Sequence, residues 1–162
     1  MKLKYFTAAL GTILLAGLCA RAQEADYSND YVHRLGLGFE LGEPIGLTAK
    51  YFLSDNLAAD GAAGWSPFSH SVAEFHADLL VHDFDLLTPA SGSAPVYIGG
   101  GIMGRFRDDG RSDLAGFRLP IGVSYMFENS SMSIYAEIAP VAIFAPFARA
   151  ELDGDVGIRF WF

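Results

Sequence analysis

The sequence predicts an all-β fold, an eight-stranded antiparallel transmembrane β-barrel with a polar, side-chain-filled lumen, and three observations predict it. Segment after segment alternates with period two and keeps one face wholly apolar, the pattern of a strand rather than a helix. The opposite face of those segments collects the charged residues together with many glycines. The chain then closes on a strand whose last position, Phe162, is aromatic.

The elements follow in order. Leu35 to Leu41 places Leu, Leu, Phe and Leu on one face and Gly36, Gly38 and Glu40 on the other. After a turn at Gly42-Glu43-Pro44, the segment from Ile45 to Leu53 sets Ile45, Leu47, Ala49, Tyr51 and Leu53 against Gly46, Thr48 and Lys50. A weaker, Ala- and Gly-rich strand runs from about Leu57 to Trp65 and carries Asp60 on its polar face. The fourth, about Val72 to Phe84, opposes Ala73, Phe75, Ala77, Leu79 and Val81 to Glu74, His76, Asp78 and His82. Thr88 to Pro95 is rich in Pro, Ser and Gly and reads as a loop.

The fifth strand, Val96 to Phe106, carries Arg105 on its polar face, and the charged tip Arg107 to Asp113 follows it. The sixth runs from Ala115 to Phe127 with Arg118 inward, and Glu128 to Ser131 turns the chain. The seventh, Met132 to about Phe144, carries Glu137; the eighth, about Glu151 to Phe162, carries Asp153, Asp155 and Arg159. Pro120 and Pro140 each remove a ladder donor, so a bulge or interruption is expected at both. Eight is an even number, and it closes an antiparallel sheet with both termini at one end.

Alternation alone allows a soluble barrel, greasy inside, or a membrane barrel, greasy outside. The polar face carries Glu40, Lys50, Asp60, Glu74, His76, Asp78, His82, Arg105, Arg118, Glu137, Asp153 and Arg159, with Gly36, Gly38, Gly46, Gly64, Gly99, Gly101, Gly116, Gly122 and Gly157 between them. Small residues among charges suit a crowded lumen, and an eight-stranded barrel is only wide enough for side chains to fill. A soluble exterior has no need of so much glycine. Tyr51, Trp65, Phe106, Tyr125, Phe127, Phe144 and Phe147 lie near strand ends, where an aromatic membrane belt belongs.

The N-terminus reads as an address. Lys2 and Lys4 precede an uncharged stretch from Tyr5 to Ala20, and Ala20-Arg21-Ala22 has the small-x-small form of a cleavage site, so residues 1–22 are expected to be a signal peptide and 23–162 the barrel domain. Cys19, the one cysteine, lies in that segment, which leaves the mature chain without disulfides or thiolate metal sites. Removing Lys2, Lys4 and Arg21 leaves 8 basic residues against 19 acidic ones, a net charge of about −11. Nucleic acid is therefore not an expected partner. The longest apolar run, Ile138 to Ala148, contains Pro140 and Pro146 and fits no transmembrane helix.

The last eight residues place Asp155, Gly157, Phe160 and Phe162 in the order polar-x-Gly-x-x-apolar-x-aromatic. This resembles the C-terminal assembly signal of Gram-negative outer-membrane β-barrels. The segments from Gly42 to Ser54, His76 to His82, Leu119 to Phe127 and Glu137 to Pro140 together resemble a family of small bacterial outer-membrane barrels of undetermined function. The resemblance implies the fold, an outer-membrane location, contact with outer-membrane lipid and handling by the barrel assembly machinery. It brings no activity and no functional residues.

Candidate chemistry is sparse. His76 and His82 share a face, but six residues of strand separate them by roughly 20 Å, too far to hold one ion. His76 with Asp78 and a cross-strand residue is the remaining combination, and a lumen hydrogen-bond network is the simpler reading; no metal, cofactor or catalytic residue is expected. Ser69-His70-Ser71 near Trp65 and Phe68 has neither a nucleophile elbow nor a converging acid. The expectation is a non-enzymatic outer-membrane barrel with a structural or interaction role. An outer-membrane enzyme acting on lipid or lipopolysaccharide is one alternative, and a secreted soluble barrel that binds an apolar ligand is the second. Arg107 to Asp113 and Pro146 to Leu152 are the loops best placed for external contact. The sequence leaves the oligomeric state open.

Overall fold

The computed structural model describes residues 34–42, 45–66, 72–107 and 112–162. The signal segment with its cleavage site, the turn residues Glu43 and Pro44, the Ser69-His70-Ser71 triplet and most of the charged tip after Arg107 lie outside the described residues.

Among the described residues nine strands form one antiparallel sheet: β1 (Leu35–Gly42), β2 (Ile45–Phe52), β3 (Leu57–Ser66), β4 (Val72–Asp83), β5 (Val96–Arg107), β6 (Leu114–Arg118), β7 (Ile121–Met126), β8 (Met132–Ala145) and β9 (Arg149–Trp161). Neighbours around the ring pair in antiparallel fashion, and β1 pairs with β9, with Gly36 opposite Trp161 and Gly42 opposite Asp155. The ring is closed. β6 and β7 take one place in it, because both pair with β5 on one side and β8 on the other. The result is an eight-stranded antiparallel barrel, as the alternation predicts.

Two prolines explain why the sixth strand is split. The Pro120 carbonyl accepts from the Gly99 N–H at 2.9 Å, and the Pro140 carbonyl accepts from the Leu119 N–H at 3.0 Å. In an antiparallel pair the reciprocal bonds would come from the N–H groups of Pro120 and Pro140, which do not exist. Leu119 and Pro120 thus lose one bond to each flanking strand, and the strand breaks there. β8 does not break at Pro140, contrary to the expectation for that residue. The missing N–H faces the gap, so the ladder to β9 keeps its register with Pro140 opposite Leu152. The register shift on β8 falls instead where Ala115 pairs with Ala145 and Gly116 with Ile143.

Other boundaries move slightly. β9 begins at Arg149, so the external loop expected from Pro146 to Leu152 is shorter and Arg149 to Leu152 belongs to the sheet. Asn129 turns the chain between β7 and β8 with φ at 61°, a left-handed conformation that Asn tolerates better than most residues.

The two faces separate by polarity. Phe39, Leu41, Leu47, Trp65, Leu79, Ile102, Phe117, Ile138, Leu152 and Val156 are all exposed on the outer wall, while Lys50, Arg118 and Arg159 are each only 2% exposed inside. Among the described residues most of the large hydrophobic side chains are outside, and charged and polar side chains make up much of the core.

Candidate functional site

Chemistry-bearing side chains meet in the lumen: Glu40, Lys50, Asp60, Glu74, Asp78, His82, Arg118, Glu137 and Arg159 are buried there, His76 and Arg105 pair with Asp78 and Glu74, and Asp153 lies beside Arg105. The lumen is built in tiers along the axis. At the end where β1 begins and β9 stops, Phe52 stacks near Trp161 with ring centroids 5.5 Å apart and near Phe84 at 6.4 Å. Ala58 and Met126 complete this apolar plug. Trp161 follows from the alternation that points Arg159 inward, and its indole N–H donates to Ser133 Oγ at 2.8 Å.

Above the plug lies a cationic tier. Asp60 forms ion pairs through Oδ2 with both Lys50 (3.2 Å) and Arg159 (2.9 Å), and its Oδ1 accepts a hydrogen bond from Arg159 at 3.1 Å. Arg159 also donates to Thr48 Oγ1 at 2.6 Å and lies 3.9 Å from the centre of the Tyr135 ring. Lys50 Nζ sits 4.2 Å from the Tyr97 ring centre and donates to His82 Nε2 at 3.3 Å. With Nε2 accepting, Nδ1 of His82 carries the proton and donates to the Asn56 carbonyl at 3.3 Å. His82 is thereby a packed structural side chain.

The next tier is anionic. Arg118 joins Glu137 at 2.5 Å and Asp78 at 3.5 Å. His76 Nδ1 donates to Asp78 Oδ2 at 2.8 Å, and Tyr135 Oη donates to Glu40 Oε2 at 3.1 Å. Toward the far mouth Arg105 collects Glu74 at 2.5 Å, Glu151 at 3.1 Å and Asp153 at 3.9 Å, and Arg149 pairs with Glu151. His76 and His82 occupy different tiers, as their spacing predicts.

The lumen glycines have a specific use. Gly36 is paired with Trp161, Gly122 with Tyr97 and Gly157 with Tyr135, and in each case a Cβ on the glycine would run into the partner's ring. Each large inner ring lies across the glycine of the next strand. Gly101 serves the Asp78 carboxylate in the same way.

Sequence reasoning missed the apolar half of the lumen. Phe52, Leu80 and Trp161 are buried inside, as is a second apolar cluster of Met103, Leu114, Val141 and Ile143. The lumen is therefore not uniformly polar. Strict alternation from the charged inward residues along the full length of each strand gives these positions. Glu151, the extra partner of Arg105, sits on the same inner face as Asp153.

Of the four residues of the expected assembly signal, Asp155 and Gly157 face the lumen, whereas Phe160 and Phe162 lie exposed on the outer wall. Phe162 is tied to the first strand by its N–H, which donates to the Leu35 carbonyl at 2.8 Å.

No family model and no curated protein matches the chain. Among solved structures, the N-terminal β-barrel domain of Pseudomonas aeruginosa OprF matches with a TM-score of 0.61 over 79% of this chain and 95% of that one, at 18% identity. The likeness supports the eight-stranded barrel fold.

Proposed function

We propose that the chain is an integral outer-membrane β-barrel with a structural or interaction role and no catalytic activity. The observation that carries this reading is the inverted distribution of polarity. From Val96 to Phe106, ten steps of strand cover roughly 33 Å, or about 25 Å along the axis at a tilt of about 40°, which is the height of the apolar band of such barrels. Aromatic side chains flank that band. Trp65, Phe106, Phe117 and Phe144 stand toward one end and Tyr51, Tyr125, Phe160 and Phe162 toward the other, with Phe117 and Phe144 4.9 Å apart. In water such a wall would be a severe liability; against lipid it is the required solvent-facing surface.

Under this reading outer-membrane lipid covers the wall, and Asp155, Gly157, Phe160 and Phe162 serve the assembly machinery. The end where β1 begins and β9 stops would face the periplasm, and the tip next to the Arg107 N–H to Asp113 Oδ1 bond (3.1 Å) would face outward. Fully buried Arg118, Tyr97, Lys50, Leu80 and Val141 fill the cross-section, which favours a closed barrel over a diffusion pore. The filled, charged interior also speaks against a soluble carrier of an apolar ligand.

Expression of the full precursor in a Gram-negative host tests the proposal. The expected product is an outer-membrane band that needs detergent for release and migrates differently with and without boiling; a soluble periplasmic band would overturn it. Deleting Phe162 should lower the folded fraction in the membrane, and normal assembly without it would remove the signal assignment.

A further inference from the structure

At the mouth β9 outruns its neighbour. Gly42, the last residue of β1, lies opposite Asp155, and Ile45 already opens β2. In that register the two residues between them reach no further than Asp153. β9 nevertheless continues to Arg149, held on its other side by β8, where Gly154 to Arg149 face Ile138 to Ile143. Among the described residues no strand pairs with Arg149 to Gly154 on the β1 side.

The phase of the ladder says which backbone groups this leaves open. Phe162 donates to the Leu35 carbonyl and accepts from the Leu35 N–H, whereas the Trp161 N–H donates to Ser131 on the β8 side. The register of β9 with both neighbours is unbroken, so its even-numbered residues direct N–H and C=O toward β1 and its odd-numbered ones toward β8. Ala150 and Leu152 therefore aim donor and acceptor at the open side. Both are exposed, and a Cβ on Gly154 would meet only the Glu137 carbonyl, at 3.8 Å. A free edge of this kind is a ready template for a further strand.

The side chains along the edge say what that strand must carry. Outward, Leu152 continues the apolar row of Leu41 and Val156, which face each other across the β1–β9 seam. Inward, Glu151 and Asp153 share Arg105 with Glu74, and Arg149 reaches only Glu151, so three carboxylates share two arginines. A second copy of this chain would bring its own Glu151 and Asp153 to the seam, and like charges on facing strands are unfavourable. A basic segment suits the edge better than a copy does.

We propose that the free edge of β9, from Arg149 to Gly154, docks an extended segment of another protein. The segment adds as an antiparallel strand in the place β1 leaves open, with apolar residues outward and basic residues opposite Glu151 and Asp153. The outer-membrane reading enters only in the compartment of that partner, which is the cell exterior. The edge itself follows from the strand register.

The test uses the mature barrel folded in detergent and the probe peptide Val-Lys-Val-Lys-Val-Ser. In the free barrel the amides of Ala150 and Leu152 should exchange quickly and those of Glu151 and Asp153 slowly; with peptide all four should be protected. Leu152→Pro removes a donor that the ladder to β8 does not use, so the heat-modifiable band should persist while peptide affinity falls about 10-fold, the scale of one lost hydrogen bond. Val-Glu-Val-Glu-Val-Ser should bind at least as weakly. Absence of binding, equal affinity of the two peptides, or unchanged affinity in Leu152→Pro would each overturn the proposal. Protection of Ala150 and Leu152 without peptide would do the same, because the edge would already be covered. Should Leu152→Pro fail to fold, the alternating exchange pattern of the wild type decides. The heat-modifiable band reports the barrel without the peptide, so a failure of the outer-membrane reading and a failure of the site are seen separately.

Discussion

The two halves of the lumen solve the problem of buried charge differently. Near the start of β1 and the end of β9, Lys50 and Arg159 share Asp60, lean on the rings of Tyr97 and Tyr135, and are sealed from below by Phe52, Phe84 and Trp161. Toward the mouth, Arg105 and Arg118 are outnumbered by carboxylates; among the described residues Glu40 has His76 at 4.0 Å as its basic neighbour, and neither Glu40 nor Asp155 makes an ion pair with an arginine or lysine. The first half is a self-contained plug, and the second is built with negative charge to spare. A barrel that served only as a membrane staple would gain nothing from the second arrangement, because unpaired buried anions cost stability.

The sharpest way to break this comparison is to make the same isosteric change in both halves. Asp60→Asn leaves Lys50 and Arg159 facing each other around a neutral amide. The loss of one partner from a buried pair costs about 3–5 kcal/mol. Urea unfolding of the refolded barrel in lipid should show it, and a loss under about 1 kcal/mol, the scale of a solvent-exposed pair, would mean that the plug is hydrated and not sealed.

A charge placed outside tests whether both halves sit behind the same apolar wall. Leu79 is exposed on the outer face, between the inward residues Asp78 and Leu80. Leu79→Arg should cost about 2–4 kcal/mol if that level lies near the bilayer midplane. A neutral outcome in the same unfolding assay would place Leu79 at an interface and shift the plug and the mouth relative to the membrane.

A smaller effect concerns the packing of the plug. Gly122 lies beneath the Tyr97 ring, so Gly122→Ala should displace that ring from Lys50 and cost about 1–3 kcal/mol. Gly100 on the outer face is the control, since a Cβ there meets Leu119 Cδ2 at 3.8 Å and the Arg118 carbonyl at 4.0 Å, both ordinary contacts. Gly100→Ala should be tolerated, and equal losses from both variants would show that backbone entropy rather than ring packing sets the cost.

How far the sequence discloses this architecture depends on the range of the interaction. The inward and outward faces are legible because alternation is a nearest-neighbour property, and even Pro120 announces its break. Pro140 does not announce its tolerance, since that depends on which neighbour its missing N–H faces. The pairs are less legible still. Arg159 meets Asp60 across 99 residues of sequence, and that contact follows from the register of the strands around the ring, which no single segment encodes. Phe52 and Trp161 are hidden by context, because aromatics at strand ends also suit a membrane belt and only strict parity with Lys50 and Arg159 sends them inward. The contact between Glu40 and His76 joins β1 to β4 across the lumen and leaves no local mark in the sequence.

The smallest expected effect carries the most information about the mouth. Asp155→Asn removes a carboxylate that makes no ion pair among the described residues, so the barrel should lose no stability and should gain up to about 1 kcal/mol, the scale of a relieved like-charge contact between neighbouring carboxylates. The new side-chain amide could then donate to Glu40, which Asp155 cannot do while ionised. The same substitution that damages the plug at Asp60 would be silent or favourable here, and this difference in sign is what an excess of negative charge at the mouth demands. If Asp155→Asn instead costs as much as Asp60→Asn, the mouth is as fully paired as the plug, and the two halves differ in composition but not in how they keep their charges.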